Sequence, residues 1–133
     1  MGTKISFKVD LAVEKGPSSS LTQDLDVDAY DLLKVKVPAG DTTTPGTITV
    51  DVQPGQTKQI KLLSLTSSMY DEKLTYKIDA AGNDIPLDAP QLFVGAGSLG
   101  LIGATAKQFV FTNRAGLAKP ADLQILVGRK ATP

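Results

Sequence analysis

Short segments of alternating apolar and polar residues recur along the chain, and turn residues separate them. The first segment is the clearest, because the apolar side chains from Ile5 to Val13 alternate with mostly polar ones. A period of two is typical of a β-strand with one buried face. Gly16 and Pro17 end this segment, and similar turn residues end several of the later ones. The pattern therefore predicts an all-β protein.

The other segments bring the expected total to about seven or eight strands. We expect strands near 33–37, 47–52, 59–65, 74–78, 92–94, 109–112 and 123–127. Ile60 and Leu62 are expected to share one face of their strand. The stretch 21–29 is ambiguous, because Ser20 and Gln23 fit a helix capping box, whereas its apolar residues alternate with aspartates and favour extended chain. Short strands at this spacing predict an antiparallel β-sandwich or a jelly-roll-like barrel.

The length of the chain fits one domain. It has 133 residues, which lies within the commonest size range of a single domain. No internal repeat and no long Pro-rich or Ser-rich linker divides it. We therefore predict a single β-sandwich domain over residues 1–133.

The charge balance and the hydropathy pattern restrict the partners. Lys and Arg together number 14, as do Asp and Glu, so the formal net charge is zero. A nucleic-acid binder needs an excess of cations, and a membrane span needs about 18 consecutive apolar residues. We therefore expect neither nucleic acid nor membrane as a partner. A neutral surface does little to oppose self-association, which favours a homo-oligomer with protein partners.

The side chains most often used in catalysis and metal binding are missing. The sequence has no histidine and no cysteine, which excludes a Ser-His-Asp triad, a cysteine nucleophile and a thiolate zinc site. Lysine and carboxylate chemistry remain possible. However, lysines such as Lys34, Lys36, Lys61 and Lys77 stand at outward strand positions, where lysine is usually solvated. We predict a protein that is not an enzyme and has no cofactor.

An acidic cluster is a candidate calcium site in a protein that is otherwise expected to bind no metal. Asp24, Asp26 and Asp28 stand two residues apart, with Asp31 just beyond, and calcium prefers such oxygen ligands. The EF-hand pattern is not met, because Ala29 occupies the position that needs glycine. Two interpretations stay open: a calcium site of another kind, or an exposed acidic strand that discourages edge-to-edge pairing.

A glycine-rich segment matches a nucleotide-binding pattern only in part. Gly95–Gly100 fits GxGxxG and follows the apolar run 92–94, as in a strand-to-helix phosphate loop. The next apolar segment follows too soon for a full helix, and the rest of a Rossmann domain has no room. A loop is therefore the favoured interpretation.

Four segments together resemble a known class of protein. They are Val52–Gln56, Lys61–Leu65, Gln108–Asn113 and Asp122–Arg129. In general sequence character they resemble small β-sandwich virion proteins of tailed bacteriophages, such as capsid decoration proteins. The resemblance implies a virion protein that binds a symmetric shell, acts as an oligomer and has no active site. The alternative is an extracellular or cell-surface adhesion or ligand-binding module, whose calcium-dependent form would use Asp24, Asp26 and Asp28.

Overall fold

A computed structural model describes residues 3–51, 60–78, 84–99 and 108–129 of the protein. These ranges contain ten β-strands and one five-residue helix. The strands are β1 (Thr3–Ala12), β2 (Ser18–Val27), β3 (Ala29–Val37), β4 (Gly46–Asp51), β5 (Ile60–Ser67), β6 (Asp71–Ile78), β7 (Ile85–Leu87), β8 (Gln91–Val94), β9 (Gln108–Asn113) and β10 (Ala121–Arg129). The helix α1 (Gly95–Leu99) follows β8.

The strands form two four-stranded sheets and a separate hairpin. One sheet has the order β3-β10-β5-β8, the other has the order β4-β9-β6-β7, and β1 pairs with β2 alone. All of these pairs are antiparallel. The prediction of an all-β antiparallel sandwich is therefore confirmed. The prediction of a single domain over residues 1–133 remains a prediction, because the described ranges leave parts of the chain out.

The strand count was underestimated. The ambiguous stretch after Ser20 is the strand β2, so the extended interpretation is correct and the capping-box helix is wrong. The strand β7, which is three residues long and contains Pro86, was not predicted. A proline lacks the N–H that a strand ladder needs and lowers any strand expectation, but it is tolerated at a sheet edge, where β7 lies.

The core lies between the two four-stranded sheets. Tyr76, Phe109 and Phe111 are fully buried there and form an aromatic cluster with ring centroids 5.5 to 6.3 Å apart. From the facing sheet, Leu63, Leu65, Leu123, Ile125 and Val127 complete this core. Full burial of one large apolar side chain contributes about 1.5–3 kcal/mol, so this layer dominates the stability of the sandwich.

Strand β5 is buried on both of its faces. Leu63 and Leu65 face the core, whereas Leu62 does not belong to it. Leu62 is nevertheless only 1% exposed, on the outer side of its sheet. A strand covered on both sides no longer shows a clean period of two.

The loop between β9 and β10 is fixed by a buried amide. Asn113 is fully buried, and its Nδ2 donates to the carbonyl oxygen of Lys119 at 2.7 Å and to that of Pro38 at 3.3 Å. Its Oδ1 accepts a hydrogen bond from the backbone N–H of Ala115 at 3.0 Å. One side chain thus satisfies three backbone groups that the loop would otherwise leave unpaired.

Candidate protein-interaction surface

The β1–β2 hairpin has one apolar face and one polar face. Its register places Ile5 opposite Leu25 and Val9 opposite Leu21, with Phe7 between them on β1. Residues directly opposite each other in an antiparallel pair point to the same side of the sheet. Together with Leu11, these side chains form a mainly apolar surface that also contains Gln23 opposite Phe7, and we call it the hairpin apolar face.

The polar face of the hairpin carries charged residues from both strands. The hydroxyl of Ser6 donates to Asp24 Oδ1 at 2.7 Å, and Lys4 Nζ lies 3.9 Å from Asp24 Oδ2. Asp26 stands opposite Lys4 in the register. Because these side chains are exposed, their ion pairs contribute little to stability. They do set the charge that the hairpin presents to a partner.

The base of the hairpin rests on the outer face of the sheet β3-β10-β5-β8. A Cβ atom built on Gly128 would lie 2.8 Å from Ile5 Cδ1, 3.2 Å from Val27 Cγ1 and 3.7 Å from Leu62 Cβ. Real Cβ atoms do not approach other heavy atoms as closely as 2.8 Å. Glycine at position 128 thus makes room for Ile5 and Val27 beside Leu62 on the outer face.

The outer part of the hairpin apolar face has no cover in the described part of the chain. Leu11 is 61% exposed and Leu21 is 48% exposed. A two-stranded hairpin is marginally stable in water unless a third strand or another surface packs against it. Contiguous apolar surface of this kind is typical of a site where another protein binds.

Apolar side chains also cross the outer face of the sheet β3-β10-β5-β8. The register aligns Leu32 with Leu126, Leu126 with Ser64, and Ser64 with Leu92. Leu32 is 51% exposed, and Leu92 is exposed as well. This row adds apolar area to the sheet face on which the hairpin base rests.

Beyond that row, the outer face becomes basic and polar. An open depression of about 560 Å³ is lined by Lys34, Val35, Lys36, Thr66, Ser67, Ser68, Asp122, Leu123 and Gln124. Lys34 and Lys36 are exposed on β3, as their outward positions predicted. The depression has the composition of a solvated sheet face.

The residues predicted as calcium ligands lie along β2 and its end. Asp24 and Asp26 share the polar face of the hairpin, and Asp28 occupies the bend before β3. Asp31 forms an ion pair with Arg129, with Asp31 Oδ2 2.5 Å from Arg129 Nη2. Within the described ranges, no group of three acidic side chains is arranged to hold a metal ion. The calcium hypothesis remains a prediction.

The glycine-rich segment continues directly from β8 into α1. Instead of a loop, Gly95–Leu99 forms a single short helix that packs beside β5. Gly100, the last glycine of the GxGxxG match, lies outside the described residues, as does the segment Val52–Gln56.

Tyr76 is the titratable group whose environment differs most clearly from water among the described residues. Its hydroxyl donates to Gln91 Oε1 at 2.5 Å, and Gln91 Nε2 donates to the carbonyl oxygen of Pro86 at 2.9 Å. Burial raises the pKa of Tyr76, because the charged phenolate would lose its hydration. The ring packs in the aromatic cluster, so this tyrosine stabilises the core, as expected for a tyrosine in a sheet.

Sequence reasoning missed the hairpin as a separate element. The alternation of β1 predicted a buried face, but only the base of the hairpin reaches the sandwich. The signal that marks a hairpin was present, since two ten-residue alternating strands flank Gly16 and Pro17. What the alternation did not reveal is that the third strand or sheet needed to cover this face is missing from the described ranges.

Comparison with known proteins adds no relative. No protein-family model matches the chain, and no curated protein or solved structure is similar enough to it to count as a match. No helix in the described ranges is long and apolar enough to cross a membrane. The geometry of the hairpin and of the outer sheet face is therefore the basis for a functional proposal.

Proposed function

We propose that this protein is a non-enzymatic assembly subunit that binds other proteins through the hairpin apolar face. The observation that carries the proposal is the exposure of Leu11 and Leu21 on a hairpin with no third strand in the described ranges. An isolated hairpin of this kind gains stability when a partner covers it. Assembly supplies that cover.

The composition of the hairpin suits a protein interface. Apolar side chains form one face, and the charged side chains of Lys4, Lys8, Asp10 and Asp24 form the other. Protein interfaces commonly have an apolar centre with a polar rim. Covering a half-exposed leucine contributes about 1 kcal/mol, so several such side chains together provide an affinity that a polar hairpin would lack.

The resemblance to phage decoration proteins supplies a setting for this subunit. In that setting the protein is part of a virion, its partners are capsid subunits and further copies of itself, and neither nucleic acid nor membrane is bound. The absence of histidine and cysteine from the sequence supports a role without catalysis.

The alternative function is a calcium-dependent adhesion or ligand-binding module outside the cell. It depends on Asp24, Asp26 and Asp28 acting together. The carboxylate of Asp24 is already engaged by Ser6 and Lys4. The exposed apolar side chains of the hairpin have no role in a metal site, so we favour assembly.

A pair of matched variants tests the proposal. Val9→Ser with Leu21→Ser removes a cross-strand pair from the hairpin apolar face, and Lys8→Ser with Thr22→Ser removes the neighbouring pair from the polar face. We expect the unchanged protein to form a discrete oligomer or to co-sediment with purified tailed-phage capsids. The apolar-face variant should lose this assembly, and the polar-face variant should keep it.

Light scattering after size exclusion, with calcium and again with chelator, measures the mass. A protein that stays monomeric and does not co-sediment with capsids would overturn the proposal. A monomer whose mass or stability responds to calcium would instead support the adhesion module, and Asp24, Asp26 and Asp28 would then be the first residues to replace.

A further inference from the structure

We propose that the hairpin binds a second copy of this chain, by adding its strand β2 to the open edge of β3 in that copy. The four-stranded sheet β3-β10-β5-β8 would then continue into the hairpin of the neighbour. This inference rests on the proposed function, since it names the partner of the same hairpin.

Within the described ranges, the two strand edges are both free and similar in length. In the described ranges β3 pairs with β10 alone, and β2 pairs with β1 alone. β3 has nine residues and β2 has ten, whereas the other edge strands of the two large sheets have six, four and three. A free edge of this length is a template for strand addition, because its backbone N–H and C=O groups lack strand partners.

The exposed edge of β3 has two chemically different sides. Lys34 and Lys36 are exposed on the outer side, and neither forms an ion pair within 4.0 Å among the described residues. Leu33 and Val35, on the inner side, pack against the core but remain partly exposed. A strand that completes this edge needs acidic side chains on one side and apolar side chains on the other.

Strand β2 has this pattern. Asp24 and Asp26 lie on its polar face, and Leu25 lies on its apolar face. In an antiparallel register that places Leu25 opposite Val35, Asp24 stands opposite Lys36 and Asp26 opposite Lys34. Because side chains alternate between the two faces, this one register satisfies both sides of the edge at once.

The same comparison disfavours the other pairings. β1 presents Lys4 and Lys8 on its polar face, so its addition to β3 would oppose like charges. The outer side of β4 presents Thr47 and Thr49 and offers no cation to the aspartates. Lysines at a sheet edge discourage strand addition in general, but a strand that places acidic side chains opposite them can still pair with that edge. We choose the antiparallel direction because every strand pair in the described structure has it.

Disulfide cross-linking tests the register directly. The natural sequence has no cysteine, so each introduced thiol is the only one in its chain. A chain with Leu25→Cys is mixed with a chain with Val35→Cys under mild oxidation. Directly opposite residues in a strand pair have Cα atoms close enough for a disulfide. The matched control mixes Asp26→Cys with Val35→Cys, because in this register Asp26 points to the opposite side of the sheet.

Charge exchange provides an independent test. Asp26→Lys and Lys34→Glu each place like charges opposite one another, and each should raise the protein concentration at half-dissociation about tenfold. A mixture of the two variants restores an opposite-charge pair and should regain the affinity of the unchanged protein. Recovery on mixing also shows that both variants are folded.

The outcomes separate this inference from the proposed function. A heterodimer that cross-links through positions 25 and 35, with little product from the control pair, together with recovery on mixing, supports strand addition. If the protein assembles through the hairpin apolar face but the 25–35 pair does not cross-link, the inference is overturned and the proposed function stands. If the protein neither self-associates nor binds capsids, both are overturned.

Discussion

Replacement of Gly128 by alanine tests whether the contact with Ile5 positions the hairpin. The new Cβ would lie 2.8 Å from Ile5 Cδ1 and 3.2 Å from Val27 Cγ1. Overpacking of this kind costs about 1–3 kcal/mol. Alanine recovers about 0.5–1 kcal/mol of this, because glycine within a strand is less favourable by that amount. We therefore expect Gly128→Ala to lower the free energy of unfolding by about 1 kcal/mol.

The second variant removes the atom that makes the contact. Ile5→Val deletes Cδ1, which costs about 0.5 kcal/mol because Ile5 is only half-buried and such deletions in full cores cost about 0.5–1.5 kcal/mol. In the Ile5→Val background, the nearest atom to the new Cβ is Val27 Cγ1 at 3.2 Å. Gly128→Ala should then be close to neutral. The double variant should therefore be more stable than the sum of the single variants predicts, by about 1 kcal/mol.

Urea unfolding followed by far-UV circular dichroism measures the four proteins of this cycle. Hydrogen exchange shows where the strain is released, and in Gly128→Ala the amides of β1 and β2 should lose protection before those of β9 and β10. Additivity of the two single variants within about 0.3–0.5 kcal/mol would refute the reasoning, because distant and independent sites behave that way.

Two further predictions concern the interior of the sandwich. Burial raises the pKa of Tyr76 above its ordinary value of about 10, so the stability that depends on the neutral phenol is complete below that pH and is lost as the pH rises above it. Tyr76→Phe should lower the free energy of unfolding by about 1 kcal/mol near neutral pH, through loss of the bond to Gln91, yet lose less stability than the unchanged protein at alkaline pH in urea titrations. Asn113→Ala removes three hydrogen bonds to backbone groups and should cost about 2–4 kcal/mol. Limited trypsin digestion should then cut faster after Arg114, and unchanged cleavage there would contradict the role given to this amide.

The sequence predicted the strands that have one covered face and one solvated face. Val35 and Val37 alternate with exposed lysines, so in β3 the period of two is intact. In β9 Phe109 and Phe111 alternate around a half-buried residue, although Thr112 and Asn113 after them are buried as well. The period fails in β5, because Leu62 is covered from outside while Leu63 is covered by the core. No local pattern contains that information, since Ile5 and Val27, which lie next to Gly128 on this face, belong to the hairpin at the start of the chain.

The same reasoning explains why the sequence did not reveal the candidate surface. The alternation of β1 is as regular as that of any core strand, yet Leu11 is largely exposed and Phe7 is only half-buried. A period of two reports that one face is apolar, and it does not report what covers that face. The number of neighbouring strands decides this, and the hairpin has too few within the described ranges.

Because the hairpin apolar face is partly exposed, substitutions on it should affect the stability of the monomer and that of the assembled protein differently. If the hairpin apolar face served only the single chain, Val9→Ser with Leu21→Ser would lower the free energy of unfolding as a core substitution does, by several kcal/mol. Leu21 is about half-exposed and Val9 is half-buried, so only part of their transfer free energy is gained within one chain. At concentrations where the protein is monomeric, this variant should therefore lose clearly less stability than a core substitution of the same kind. At concentrations where the protein assembles, the same substitutions should lower the free energy of unfolding further, because in the unchanged protein the partner then covers Leu21 and Val9.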